Sequence, residues 1–443
     1  MNCRRMKLSN LQIVALGFFL VILTGTVLLC LPIATVEGET TTVLNSLFTA
    51  VSATCVTGLV VYDTGTHFTL FGQIVILGLI QIGGLGFMTL SLGFLMLMRK
   101  KIGLRHREVM VESINSTQLG GIVRLTKKIL LGTIIFESAG AILLSLRFIP
   151  EFGLVKGIYF GIFHAISAFC NAGFDLFGGY NSIVAYSDDI LINLTLMGLI
   201  TIGGLGFLVW EDIWNKKLAW KKYRLQTKIV LATSFCLTFG GGLLLLFIER
   251  HNPIMGSGMK ERILTSLFQS CTTRTAGFNS VDPAALSGGS KVLMMLLMFV
   301  GGSPGSTAGG IKTTTLIVIL MYTLAGVRHG RGANIFGRRL EEEALHKAIF
   351  VFFINLTFVL GGVIAICCIQ ELDVTDLFFE AFSAMGTVGI TTGITRDLLP
   401  LSRCIIIFLM YCGRVGSVSF AVALLERKVS PPVTLPIEKI TIG

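Results

Sequence analysis

Phe48-Thr49-Ala50-Val51-Ser52-Ala53-Thr54-Cys55-Val56-Thr57-Gly58 is the stretch that decides how the rest of the chain reads. Its frame, Phe-x-x-x-Ser-Ala-x-x-x-x-Gly, returns at Phe163, Ser167, Ala168 and Gly173, and again at Phe379, Ser383, Ala384 and Gly389. A fourth, degenerate copy reads Leu267, Cys271, Thr272 and Gly277. The glycines recur every 104 to 115 residues. Repetition on this scale fixes an architecture before any single element is considered.

Each copy lies between long apolar runs, at 11–31, 70–98, 129–146, 190–210, 229–248, 292–300 with 316–324, 348–369 and 404–425. Most approach the roughly 20 residues a helix needs to cross a hydrocarbon core. The first run lacks a small-residue cleavage site and exceeds a typical signal core, so it reads as a span. Composition agrees: 53% of the 443 residues are hydrophobic and 14% charged, where a soluble domain carries roughly 25% charged residues. The expectation is an all-α integral membrane protein with eight transmembrane helices, built as four span–pore-loop–span repeats around one pore. The repeats divide the chain at 1–98, 99–213, 214–327 and 328–443.

The formal charge of +11 does not point to nucleic acid, because of where the cations lie. Arg4, Arg5 and Lys7 precede the first run, and Arg99, Lys100, Lys101, Arg105, Arg107, Arg124, Lys127 and Lys128 fill the loop after the second. Further clusters span 216–228 and 328–347, whereas 32–68 holds no Lys or Arg. This is the positive-inside pattern, and it places both termini and the basic loops in the cytoplasm of a cell-membrane protein. The ten cysteines form no CxxC pair, so neither a disulfide framework nor a zinc site is implied.

Between paired runs, segments 44–54, 159–169, 263–272 and 376–385 allow two to three helical turns at ~1.5 Å per residue, half a membrane. Each leads into a loop: Cys55, Val56, Thr57 and Gly58; Asn171, Ala172 and Gly173; Thr275, Ala276 and Gly277; Thr387, Val388 and Gly389. Non-helical backbone at membrane depth survives only where protein buries it or where it lines an aqueous path. Glycine in such a loop lets successive carbonyls face one side, and a ring of carbonyls can replace the hydration shell of potassium.

At these residues the chain resembles the membrane subunit of the Trk/Ktr/HKT superfamily of potassium transporters. The Thr387-Val388-Gly389 loop and the Ile-Gly-Gly-Leu-Gly-Phe strings at 82–87 and 202–207 carry the resemblance, which spans nearly the whole chain. The absence of large extra helices before the first unit makes it most similar to the bacterial Ktr branch. The resemblance implies potassium as the transported ion, a homodimer, and an octameric cytosolic ring of Rossmann-like nucleotide-binding regulatory subunits. Serine replaces the first-loop glycine in sodium-preferring relatives, whereas all four loops keep glycine here. Loops two and three depart from the pattern in lacking Val before Gly.

The Ile-Gly-Gly-Leu-Gly-Phe strings lack the strand–helix unit and acidic partner of a dinucleotide site; inside apolar runs they read as close helix packing. Gly301 to Gly310 differs. Gly302, Ser303, Pro304, Gly305, Ser306 and Thr307 break a run too long for one straight span. It reads as a kink or as an intramembrane loop closing the pore, and the resemblance implies the latter. Lys312 and Arg414 fall at membrane depth, where charge is costly and by default functional; Lys312 is short enough of the run's end to snorkel. No catalytic triad, paired carboxylates or organic-cofactor site emerges, so the chain reads as no enzyme. A cation-coupled secondary transporter is the rival reading, but such folds usually show inverted halves, and these four repeats run in one direction.

Overall fold

The computed structural model of the chain describes residues 9–98, 103–114, 120–217, 219–256, 258–328 and 332–416. The cations at 4–7 and 99–101, and the end of the last apolar run with the C-terminal tail, lie outside the described residues. Helix dominates; the one sheet among the described residues is a hairpin pairing Asn334–Ile335 with Arg338–Arg339.

The first repeat contains α1 (Asn10–Leu29), α2 (Val43–Thr54), the short α3 (Thr64–His67), α4 (Leu70–Leu85) and α5 (Phe87–Leu97). The connecting helix α6 (Leu104–Ile114) leads into the second, made of α7 (Ile122–Phe152), α8 (Leu154–Phe169), α9 (Ile190–Leu205) and α10 (Phe207–Lys216). The third holds α11 (Leu225–Ile248), α12 (Met259–Thr272), α13 (Gly288–Phe299) and α14 (Thr313–Val327), the fourth α15 (Glu342–Ile369), α16 (Val374–Gly386) and α17 (Pro400–Val415). Starts follow local chemistry. Ser9 forms a capping box with Gln12, while Thr42, Thr69, Asp189, Ser287 and Asp373 accept from backbone N–H groups of the first turns of α2, α4, α9, α13 and α16.

The first spans of the four repeats, α1, α7, α11 and α15, are long and apolar enough to cross a bilayer, yet only 22 to 39% of each is buried in the protein. Their remaining apolar surface needs lipid. The second spans are more complicated than the sequence suggests. Runs 70–98 and 190–210 are not straight: α4 and α5 meet at 95°, α9 and α10 at 96°. The bends fall at Gly86 (φ +78°) and Gly206 (φ +94°), a left-handed conformation that ends a right-handed helix at little cost only for glycine. In the third repeat the second span is split into α13 and α14. In the fourth, α17 ends at Gly416, again at positive φ.

One packing contact recurs in all four repeats and establishes their equivalence. A Cβ added to Gly25, Gly140, Gly241 or Gly362 on the first span would meet Leu79, Leu199, Leu297 or Leu409 of the second at 2.6, 2.6, 3.0 and 2.9 Å. Each glycine is thus a notch for a leucine, the close approach that replaces hydrophobic driving force inside a bilayer. Four residues beyond three of those leucines, Gly83, Gly203 and Gly413 press against the carbonyls of Thr54, Phe169 and Met385 near the ends of the short helices. The glycine strings therefore do pack, and the same strings make the bends.

Candidate functional site

The short helices α2, α8, α12 and α16 all end beside one axis. Their C-terminal carbonyls present partial negative charge there, which favours a cation. Past each end the backbone follows the same alternation. Val56, Asn171, Thr275 and Thr387 have φ of +56°, +59°, +71° and +51°, and two residues on Gly58, Gly173, Gly277 and Gly389 have +93°, +70°, +85° and +92°. The residue between has ordinary φ. Alternating hand turns successive peptide planes so that their carbonyls share a side, and the intervening side chains, Thr57, Ala172, Ala276 and Val388, are fully buried behind them. Cys55 is the C-cap of α2, with ordinary helical φ, and its side chain packs in the apolar core.

The four loops close a ring. A Cβ on Gly58 would lie 2.5 Å from the Ala172 oxygen; on Gly173, 2.6 Å from that of Ala276; on Gly277, 2.5 Å from that of Val388; on Gly389, against that of Thr57. The order one–two–three–four–one leaves no room for a side chain. The Asn171 amide and the Thr275 hydroxyl also meet at 3.2 Å, joining loops two and three.

The walls are unequal. Ser52 and Ser383 Oγ accept from the N–H of Gly58 and Gly389 at 3.1 and 3.0 Å. In loops two and three the hydroxyls instead donate to the carbonyl after glycine, Ser167 to Phe174 at 2.8 Å and Thr272 to Phe278 at 2.7 Å. That last bond corrects the sequence frame of the third copy. Thr272, not Cys271, takes the serine role, and Phe268, fully buried, takes the place assigned to Leu267. The third loop is one residue shorter: Ala276 N–H bonds the carbonyl four residues back, whereas Thr57, Ala172 and Val388 bond the one five back. Counting back from the glycine hid this deletion.

Outside the ring opens a vestibule of about 410 Å³, floored by the four glycines and flanked by Asp63, Asp175, Asp282 and Arg396. Burial, reinforced by the neighbouring Asp63, pushes the Asp175 carboxyl up to about 7, against the Phe177 N–H that favours its charge. Asp63 is committed to the backbone, accepting from Gly65, Thr66 and Tyr180 N–H.

On the other side of the ring the segment 300–312 crosses the axis. A bridge between Val300 and Ile311 ties its base. Thr313 N–H bonds the Gly302 carbonyl at 3.1 Å, and Ser303 and Thr313 hydroxyls meet at 3.2 Å. Ser306 Oγ donates to the Ser303 carbonyl. The Pro304–Gly305 turn seats on the bend of repeat two, where Phe207 N–H bonds the Gly305 carbonyl at 2.7 Å and Ser303 N–H bonds that of Gly204 at 3.0 Å. Thr307 Oγ1 donates to the Phe169 carbonyl at the end of α8 at 3.2 Å, and Gly309 abuts the Thr387 side chain of loop four. The segment therefore lies directly under the ring and is folded rather than a simple kink.

Both sequence-flagged cations hold it. Lys312 Nζ donates to the Ala308 and Gly309 carbonyls at 2.8 and 3.1 Å, closing the segment on itself rather than snorkelling. Arg414 donates to the Thr307 carbonyl and to those of Gly83 and Gly84, the last at 3.0 Å. Its guanidinium joins repeats four, three and one at a single point. Two carbonyls just before the bend at Gly86 are its acceptors, that of Gly83 shared with the Gly86 N–H, which the sequence did not foretell.

The family described as TrkH, cation transport protein, matches residues 9–431. The potassium/sodium uptake protein NtpJ of Enterococcus hirae is 40% identical, over 99% of this chain and 98% of its own length. Ktr system potassium uptake protein B of Bacillus subtilis is 41% identical, over 92% and 91%, and that of Vibrio alginolyticus 37%, over 93% and 90%. The crystal structure of the potassium transporter TrkH from Vibrio parahaemolyticus superposes with a TM-score of 0.75, covering 96% of this chain and 87% of that one at 18% identity, a likeness of fold.

Proposed function

The chain belongs to the TrkH family of cation transport proteins, on its Ktr branch, and on that premise we propose that it takes up potassium by passive permeation through the four-loop ring. The observation that carries this is the closure of the ring: each filter glycine faces a carbonyl oxygen of the next loop, in cyclic order. Carbonyl oxygens so placed suit a dehydrated monovalent cation. The membrane potential supplies the drive, ~2.3 kcal/mol per charge per 100 mV, without chemistry in this chain. The segment 300–312 is the gate, pinned closed by Arg414 and Lys312. A cytosolic ring of nucleotide-binding subunits, docked on the basic loops of a homodimer, would bias it; the Ktr system names of the relatives support a membrane subunit with companions.

The test is cation flux into liposomes holding the purified protein, at fixed voltage, with potassium and sodium compared. Sodium is the informative competitor because the Enterococcus hirae relative carries both ions in its name. Voltage-driven potassium flux that needs no proton or sodium gradient supports the reading. Potassium uptake that requires a co-transported ion overturns it.

A further inference from the structure

With the third copy in its structural register, one polar residue per repeat occupies the same place, directly after the recurring phenylalanine: Thr49, His164, Gln269 and Glu380. All four are buried to within 1% of completely. What they do differs. Thr49 bonds back to its own helix, at the Asn45 carbonyl. His164 Nε2 accepts from Leu176 N–H at 3.3 Å, three residues past the filter glycine, which leaves Nδ1 to donate to the Phe160 carbonyl at 2.7 Å. Gln269 reaches the Val281 carbonyl at 3.4 Å, a long bond four residues past its glycine. Glu380 does most: Oε2 accepts from Thr391 Oγ1 at 2.7 Å, two residues past Gly389, and Oε1 accepts from Thr395 Oγ1. Thr391 Oγ1 also accepts from Gly393 N–H at 3.0 Å.

We propose, resting on the filter reading above, that Glu380 is the positioning residue of the fourth filter loop, its carboxyl stapling the segment after Gly389 to α16 and so setting the loop's ion preference. Ser383 holds Gly389 from the front by its N–H; Glu380 holds the chain from behind. No Lys, Arg or His makes an ion pair with Glu380 among the described residues, so its two hydroxyl donors are its partners. One carboxyl holds its segment at two points, where the imidazole of repeat two and the amide of repeat three each hold theirs at one. Loop four is therefore the most firmly held wall of an unequal ring.

The experiment measures potassium and sodium flux per reconstituted protein at fixed voltage, with assembly and thermal stability followed by size-exclusion chromatography and melting. Glu380→Ala and Thr391→Val should each lower the potassium-over-sodium preference by up to about tenfold, the upper scale of one net hydrogen bond. Glu380→Gln, which keeps an acceptor for one hydroxyl and a donor for the other, should retain most of it. Thr49→Ala, in the same layer but bonded only to its helix, should leave it unchanged. The double variant should be no worse than the worse single. An assembled Glu380→Ala or Thr391→Val with unaltered preference overturns the proposal; if Glu380→Ala fails to assemble, Thr391→Val decides alone. Gly389→Ala separates the two readings: a change there with none at Glu380 leaves the filter standing, and no change at either removes the filter as well.

Discussion

Gly58→Ser places a Cβ 2.5 Å from the Ala172 oxygen, where ordinary contact begins near 3.4 Å. Either the carbonyl or loop one must retreat by about 0.9 Å, the difference between those two distances. A carbonyl moved that far is lost as a ligand at its level of the ring. The backbone adds strain, since φ at Gly58 is +93° and a side chain there costs about 1–3 kcal/mol. Gly38 separates the two effects. It has φ +89° but nothing within 4 Å of an added Cβ. Gly38→Ser should therefore lower stability by a similar amount and leave transport unaltered. Gly58→Ser should in addition lower the potassium-over-sodium preference by about tenfold, equivalent to 1.4 kcal/mol of differential barrier. The assay is paired potassium and sodium flux at fixed voltage, with melting of both variants. Equal ion preference in wild type and a correctly assembled Gly58→Ser protein would refute the ring as selectivity filter.

Deleting Ser303 to Gly309 should raise potassium flux in assembled protein, and lower or equal flux would reduce the segment to a structural brace. Arg414→Ala should raise flux per reconstituted protein by about tenfold or more, because it removes both a fixed charge and the bond to the Thr307 carbonyl; Arg414→Lys keeps the charge and should recover part of the closed state, and unchanged flux in Arg414→Ala would make the residue only a tie between repeats. Asp175, with its carboxyl near 7, is neutral below that pH and charged above it. Uptake at low potassium should thus be faster at pH 8 than at pH 6, measured by rubidium or potassium flux, and Asp175→Asn should flatten that difference; a flat wild-type profile would refute a vestibule role.

The repeat, the short helices and the four glycines were legible because each rests on local composition: apolar run length, a fixed spacing, and the one residue that tolerates positive φ; α8, at 16 residues, begins five residues before the expected 159 and exceeds half a span. The bends at Gly86 and Gly206 were not. A glycine inside an apolar run permits both packing and a break, and the choice was made by partners far away in sequence, the Arg414 guanidinium and the Phe207–Gly305 bond. The deletion in loop three escaped for a related reason. Cys271-Thr272-Thr273 offers several small residues to align, and only the Thr272 hydroxyl and the Ala276 N–H bond to its carbonyl distinguish them. Glu380 also passed unnoticed. Its meaning lies in Thr391 and Thr395, which a carboxylate in an apolar frame does not announce.

On the proposed reading, gate and filter are not separate devices joined by a rigid wall. Thr307 bonds the last carbonyl of α8, directly before loop two, while Gly309 touches Thr387, the first left-handed residue of loop four. If the segment opens as proposed, both contacts must be released. Loop four is the better braced of the two, through Ser383 and Glu380. Loop two has Ser167 bonded to a carbonyl beyond its glycine, and leaves the Gly173 N–H without the serine brace found in loops one and four. Movement of the segment should consequently disturb loop two first. A regulator acting from the cytoplasm would then alter conduction and ion preference together, and through the weaker wall. The asymmetry of the four repeats thus gives the proposed gate a preferred point of contact with the proposed filter.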